Sequence, residues 1–189
     1  RSREEFLKLG GPQARGSNSG DLFIKSVNWK PVITAPHGYV LGLAFGIILE
    51  SELIVAEEGT QIQLTETSRG LGGSKYWSLM QYRGATTFST EIALTGRFFG
   101  AEEGHAAGFI DRIAPKGKHL EVAKELAQQI NANPPLSVRA TVRTRRLKME
   151  QVGRESGAQL NALKLYLTED FHEAAKAFTE KRKPNKFKG

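Results

Sequence analysis

Cysteine is absent from the 189 residues, so neither a disulfide framework nor a cysteine-bound zinc can form. That is compatible with a reducing cytoplasm, the expected location. Long hydrophobic runs are missing too. The longest, Gly38–Leu49, falls short of the roughly 20 residues that cross a bilayer, so no membrane partner is expected. The chain does not open on methionine, and Arg1-Ser2-Arg3-Glu4-Glu5 is charged with no apolar segment adjoining it, unlike a signal peptide. It is therefore expected to be a processed or incomplete chain.

Several catalytic and binding signatures are lacking as well. Gly70–Lys75 hints at a phosphate loop, but Ser74-Lys75 reverses the required order and the glycine spacing is wrong. There is no GxGxxG dinucleotide fingerprint and no nucleophile elbow. The histidines at 37, 105, 119 and 172 are scattered without ligand spacing, so no metal is expected.

What is present is an ordinary balance of 39% hydrophobic and 25% charged residues, enough for one core, with or without a helical appendage. The formal net charge of +7 favours polyanions or a nucleotide-bearing small molecule without choosing among them.

Along the chain, a short helix is expected around Glu4–Leu9, then a mobile glycine-rich loop. Pro31–Ala35 reads as a buried strand and Gly38–Leu49 as a helix buried on all sides. Leu53–Ala56 and Gln61–Leu64 read as strands, Ser74–Leu94 as helical, Glu102–Ala107 as a short helix and Phe109–Ile113 as a strand. Beyond that the pattern is helical. Val122, Leu126 and Ile130 share a face, and Pro134-Pro135 is expected to stop that helix. A basic helix follows over 136–151, then a stripe of Leu160, Leu163 and Leu167. Asp170 is the expected N-cap of a last helix, with Glu173 completing a capping box. Strand–helix alternation with a helical tail predicts an α/β layer carrying an all-α extension, divided near 1–115 and 116–189.

Chemistry concentrates in few places. Glycines 38, 42 and 46, four apart, line one face of the expected helix; they suit either tight packing or an oxyanion at its first turn. Glu66, between Thr65 and Thr67 at a strand end, is either a surface glutamate at a turn or an acid/base raised by an apolar wall. The cations of Arg139–Lys148 and of Lys181–Lys188 form either a solvated face or a phosphate-binding one.

The order of these segments adds a resemblance. Lys30-Pro31-Val32-Ile33-Thr34-Ala35 followed by His37-Gly38-Tyr39-Val40-Leu41-Gly42 resembles the KPVIAAVNGYALGGG-like stretch of the enoyl-CoA hydratase/isomerase (crotonase) family. Ala93–Arg97, Ala101–Glu103, Ala106–Ile110 and Arg112–Pro115 look like its LTGR…SAEEA…GLV…VVP block, and Phe178–Pro184 like its FxEKRxP ending. The likeness covers roughly residues 30–189. It implies a crotonase-type spiral core of ββα turns, N-terminally incomplete, with a C-terminal all-α region that packs into a homotrimer or hexamer. It further implies an acyl-CoA thioester substrate, coenzyme A being part of the substrate and no separate cofactor. The backbone N–H of Leu43, with Ala44 beside it, would be an oxyanion donor, Glu66 the catalytic acid/base, and Phe178 and Lys181 would lie near the CoA nucleotide.

Three departures accompany it. The segment carrying the other oxyanion N–H is expected before residue 1. Gly46 stands where two-glutamate hydratases carry their second acid. The loop after Glu66 is short and lacks the customary proline. The activity that follows is hydration or isomerisation of an enoyl-CoA. An isomerase or other one-carboxylate lyase or decarboxylase is the alternative, as is an RNA-binding or catalytically inactive homologue.

Overall fold

In the computed structural model, the described residues are 28–189 together with Glu4, Glu5 and Lys8. The expected glycine-rich loop, and most of the helix expected before it, lie outside them.

The β-branched run after Lys30 forms β1 (Ile33–Thr34), which pairs in parallel with β3 (Leu53–Glu57). Strand β6 (Arg112–Ala114) pairs in parallel with the other end of β3, giving the order β1-β3-β6. A second sheet has the order β2-β4-β5. In it β2 (Tyr39–Leu41) runs parallel to β4 (Gln61–Gln63), and β5 (Phe98–Gly100) antiparallel. The central strands carry Ile54, Val55, Ala56 and Ile62 fully buried.

The expected helix over 38–49 is instead a strand, a corner and a helix. Tyr39–Leu41 alternates exposed, buried, exposed, and pairs with β4. Gly42, at φ 50°, turns the chain into α1 (Leu43–Glu50). Glycines 38 and 42 therefore precede the helix rather than line it. Nor is α1 buried all round, since Leu43, Ala44 and Ile47 are exposed while Phe45, Gly46, Ile48, Leu49 and Glu50 face inward.

Helices α2 (Ser74–Tyr82) and α3 (Thr86–Thr95) divide the expected helical stretch at Gly84, and α4 (Ala101–Ala106) follows. Phe109 and Ile110 are core residues in a loop, not strand residues; the strand starts at Arg112. Phe45, Phe88, Phe99 and Phe109 meet edge-to-face around the core centre, with ring centroids 5.2–6.3 Å apart in the edge-on pairs.

Helix α5 (His119–Asn131) buries Ala123 and Leu126 against the first sheet. It ends before Pro134, and Pro135 opens the next helix, where a missing N–H costs nothing. That helix, α6, runs Pro135–Ala162, well past the expected end. Val142, Arg146, Met149, Gly153 and Gly157, three or four apart, are its buried row, and Met149 joins the main core. Leu160 is in its last turn, Leu163 follows it and Leu167 belongs to a 3-10 turn, so these leucines do not form one stripe. The last helix, α7 (Glu169–Thr179), is capped by Thr168, whose Oγ1 accepts from Phe171 N at 3.2 Å. Asp170 sits in its first turn and accepts from the backbone of Lys188 and Gly189, while Glu173 pairs with Arg182. Among the described residues no helix is long and apolar enough to cross a membrane.

Candidate functional site

Strand β4 buries Ile62 and, just past its end, Leu64, then delivers Thr65 and Glu66 to a tight 3-10 turn, Thr67–Arg69. The turn is fixed from all sides. Arg69 N donates to Thr65 O and Glu66 O at 3.1 and 3.0 Å, and Leu71 N donates to Glu66 O at 2.8 Å. Thr67 Oγ1 donates to Ala93 O on α3 at 2.6 Å. This compact turn is the short, proline-free loop noted in the sequence.

The Glu66 carboxyl is half-buried, and its Oε2 is shielded from solvent with no hydrogen-bond partner among the described residues. Burial raises its pKa above the ordinary carboxylate value, against weaker opposition from its own backbone N–H and from Thr65. It thus sits at a turn, but only partly exposed. It lines a cavity of about 230 Å³ together with Leu71, Lys75, Tyr76, Leu160 and Leu165. The Tyr76 phenol is held protonated far above its usual range, first by burial and then by the charges of Glu66 and Glu50.

The corner before α1 lies against this carboxyl. A Cβ at Gly42 would stand 3.1 Å from Thr65 Oγ1 and 3.8 Å from Glu66 Oε1. Gly42 N donates to Gln63 O at 3.4 Å, tying the corner to the strand that delivers Glu66. Leu43 and Ala44 thus open α1 one and two residues from the point of closest approach, at a helix start with no side-chain cap. Backbone N–H groups of a helix's first turn have no intrahelical acceptor and suit an oxyanion.

Phe178 is exposed, and the Arg69 guanidinium lies over its ring at 3.6 Å from the centroid. Arg69 belongs to the turn that Glu66 caps, so the C-terminal helix is joined to the Glu66 turn by this stack. Lys181 follows in the αL conformation at φ 52°, exposed beyond the end of α7. The structure brings Glu66 to the Leu43 corner and Phe178 to the Glu66 turn; Lys181 stands at the edge of the same region.

Sequence reasoning missed Arg69, Lys75 and Tyr76. Lys75 registered there only as part of a failed phosphate loop. Its Nζ lies 3.3 Å from Glu50 Oε1, on a carboxylate with no exposed surface. The cluster on α6 was also misjudged, being neither simply solvated nor simply phosphate-binding. Arg145 and Arg146 both reach Glu52, at 3.2 and 2.7 Å, and also bond backbone carbonyls of Ser51, Asn28 and Lys30. Among the described residues no three His, Cys, Asp or Glu side chains are grouped to hold a metal ion.

Comparison with known proteins places the chain in a family. A mevalonyl-coenzyme A hydratase of Aspergillus fumigatus is 34% identical over 161 residues, covering 82% of this chain and 59% of that protein. A carnitinyl-CoA dehydratase of Salmonella typhi is 31% identical over 166 residues, covering 82% and 62%. Among solved structures, a carnitinyl-CoA dehydratase from Mycobacterium avium superposes with a TM-score of 0.73 at 30% identity, over 83% of this chain and 64% of that one. A methylmalonyl CoA decarboxylase shares the fold, with a TM-score of 0.72 at 23% identity. The chain spans about 60% of the length of the curated relatives it matches. The family model described as enoyl-CoA hydratase/isomerase matches residues 18–189, and the chain belongs to that family.

Proposed function

We propose that this chain binds an acyl-CoA thioester and moves a proton beside its carbonyl, with Glu66 as the acid/base. The observation that carries this is the unpartnered, buried Oε2 of Glu66 on a cavity wall, beside the corner that starts α1. The thioester oxygen would accept from the N–H of Leu43, with Ala44 beside it, so that negative charge developing on that oxygen meets fixed donors. Glu66 would take a proton from the carbon next to the carbonyl of a 3-enoyl thioester. The dienolate then forms, and the same proton returns at C4 to leave the conjugated 2-enoyl product. Phe178 and Lys181 would flank the CoA nucleotide. A homotrimer or hexamer is supported by the exposed apolar side chains of Tyr39, Leu43, Leu94 and Phe98.

One carboxylate suffices for this isomerisation and for related lyase or decarboxylase steps. Gly46, buried in α1, offers no second one. Hydration is the second reading, because relatives carry hydratase and dehydratase names. RNA binding is disfavoured by the internal use of Arg145 and Arg146. Following the conjugated enone absorbance separates these. A gain from a 3-enoyl-CoA that vanishes in Glu66→Gln supports isomerisation, whereas a loss from a trans-2-enoyl-CoA that vanishes likewise establishes hydration. A signal indifferent to Glu66→Gln, or silence with both substrates, overturns the reading.

A further inference from the structure

The cavity beside Glu66 has an unusual wall for an apolar acyl chain. Leu71, Leu160 and Leu165 supply hydrocarbon, but Lys75, Lys164, Tyr76 and Glu66 line it as well. Lys75 is no loose surface cation. Its side chain retains only 15% of its exposure, and its Nζ sits 3.3 Å from Glu50 Oε1, a carboxylate with none. Glu50 lies in the last turn of α1, so the helix that starts at the Gly42 corner also anchors the cation in the cavity. A buried ammonium without an anion is costly, and a buried pair is costly to disturb. Glu50 therefore holds Lys75 in place on the wall. Tyr76, held protonated far above its usual range, stays a hydrogen-bond donor at any ordinary working pH.

An alkyl chain would pack on the leucines but return no hydrogen bond to the polar groups that it desolvates. An acyl chain ending in a carboxylate would meet an ammonium and a phenolic donor. We propose that the cavity is selective for thioesters whose acyl chain ends in a carboxylate, with Lys75 as the specificity-determining residue and Glu50 as the group that positions it. This rests on the acyl-CoA reading of the site.

The test compares the affinities of adipyl-CoA and hexanoyl-CoA by titration calorimetry, two saturated thioesters of equal carbon count that need no turnover. Adipyl-CoA is expected to bind about ten- to hundredfold tighter, the range for a hydrogen bond to a charged group. Lys75→Arg should keep a preference. Lys75→Met alone would strand Glu50, so the decisive variant is Lys75→Met combined with Glu50→Gln, which removes both charges. There the ratio is expected to fall to about one. Equal affinity in the parent protein, or a preference that survives the double variant, overturns the proposal while hexanoyl-CoA binding keeps the acyl-CoA reading intact. Failure of both thioesters to bind removes the acyl-CoA reading itself, and this inference with it.

Discussion

Gly42 and Glu66 are in near contact across the start of α1: a methyl group on Gly42 would stand 3.8 Å from Glu66 Oε1 and 3.1 Å from Thr65 Oγ1. With φ 50° and ψ −115°, Gly42 also occupies a backbone region closed to side chains. The corner thus puts the first N–H groups of a helix beside a half-buried carboxyl with no side chain in between. Gly42→Ala is expected to cost about 1–3 kcal/mol of stability through backbone strain. It should also displace the Thr65–Glu66 pair and lower turnover by more than the lost folded fraction accounts for. Urea unfolding beside enone-absorbance kinetics checks both, and a variant that is weakened in stability but has normal kcat would refute the positional argument.

Glu66 carries the second prediction. An acid/base group contributes about 10²–10⁴-fold, so Glu66→Gln is expected to lose that much in kcat with little change in affinity. The pH dependence follows from burial. The folded-state pKa lies above the unfolded one, so the folded state holds the proton more tightly and stability falls as pH rises through the window between them. Above that window the fold is therefore weaker than below it. Glu66→Gln should melt slightly higher at pH 7 and lose that advantage below pH 4.5, the ordinary carboxylate value. In the parent enzyme the acid limb of kcat/KM should lie above that same value. Thermal melts at the two pH values, with a pH–rate profile, test the pair of statements.

That Glu66 stands at a strand end was legible because Ile62 and Leu64 alternate with polar residues up to it; its acid/base role was implied only by the family resemblance. Its burial was not legible, because the wall over it comes from Leu160 and Leu165, nearly a hundred residues on. Lys75 looked like a misordered phosphate loop because its partner, Glu50, sits in a segment whose apolar content hid a strand, a corner and a helix. No periodicity marks the corner; the φ of Gly42 does. Asp170 was expected as the N-cap of the last helix, but the cap is Thr168. The extended backbone at Thr168, φ −74° and ψ 152°, decides it. Strands β1, β3 and β4 and most helices needed no such distant information, since their own periodicity or apolar runs specify them, whereas β2 was read as helix and β5 was not expected.

Arg69 and Phe178 give the third prediction. The guanidinium lies over the exposed ring at 3.6 Å, so the C-terminal helix is held to the Glu66 turn by a contact in water. Such a stack is worth about 0.5–1 kcal/mol when exposed. Phe178→Ala should therefore cost little stability. If the ring also flanks the CoA nucleotide, KM for an acyl-CoA should rise several-fold with kcat nearly unchanged, and a pantetheine thioester without the nucleotide should show no such rise. Equal effects on both substrates would assign Phe178 to the turn alone.

Glu52 provides the fourth. It lies just past α1, its side chain 8% exposed, and receives Arg145 and Arg146 from α6, ninety-odd residues away; its Oε2 also accepts from Val32 N at 2.7 Å. Arg146, 4% exposed in its side chain, further donates to the carbonyls of Asn28 and Lys30 at 2.9 and 2.8 Å. One carboxylate thus fastens the long basic helix to the segment that leads into β1. Removing one partner of a buried pair costs about 3–5 kcal/mol, because the remaining charge stays buried without compensation. Glu52→Leu should approach that figure, since it strands two cations. Arg145→Met should cost less, because Arg146 still neutralises Glu52. Combining Glu52→Leu with Arg146→Met should recover part of the loss, which a double-mutant cycle in urea measures directly. Strict additivity of the two changes would mean that the carbonyl contacts of Arg146, rather than the ion pair, hold α6 in place.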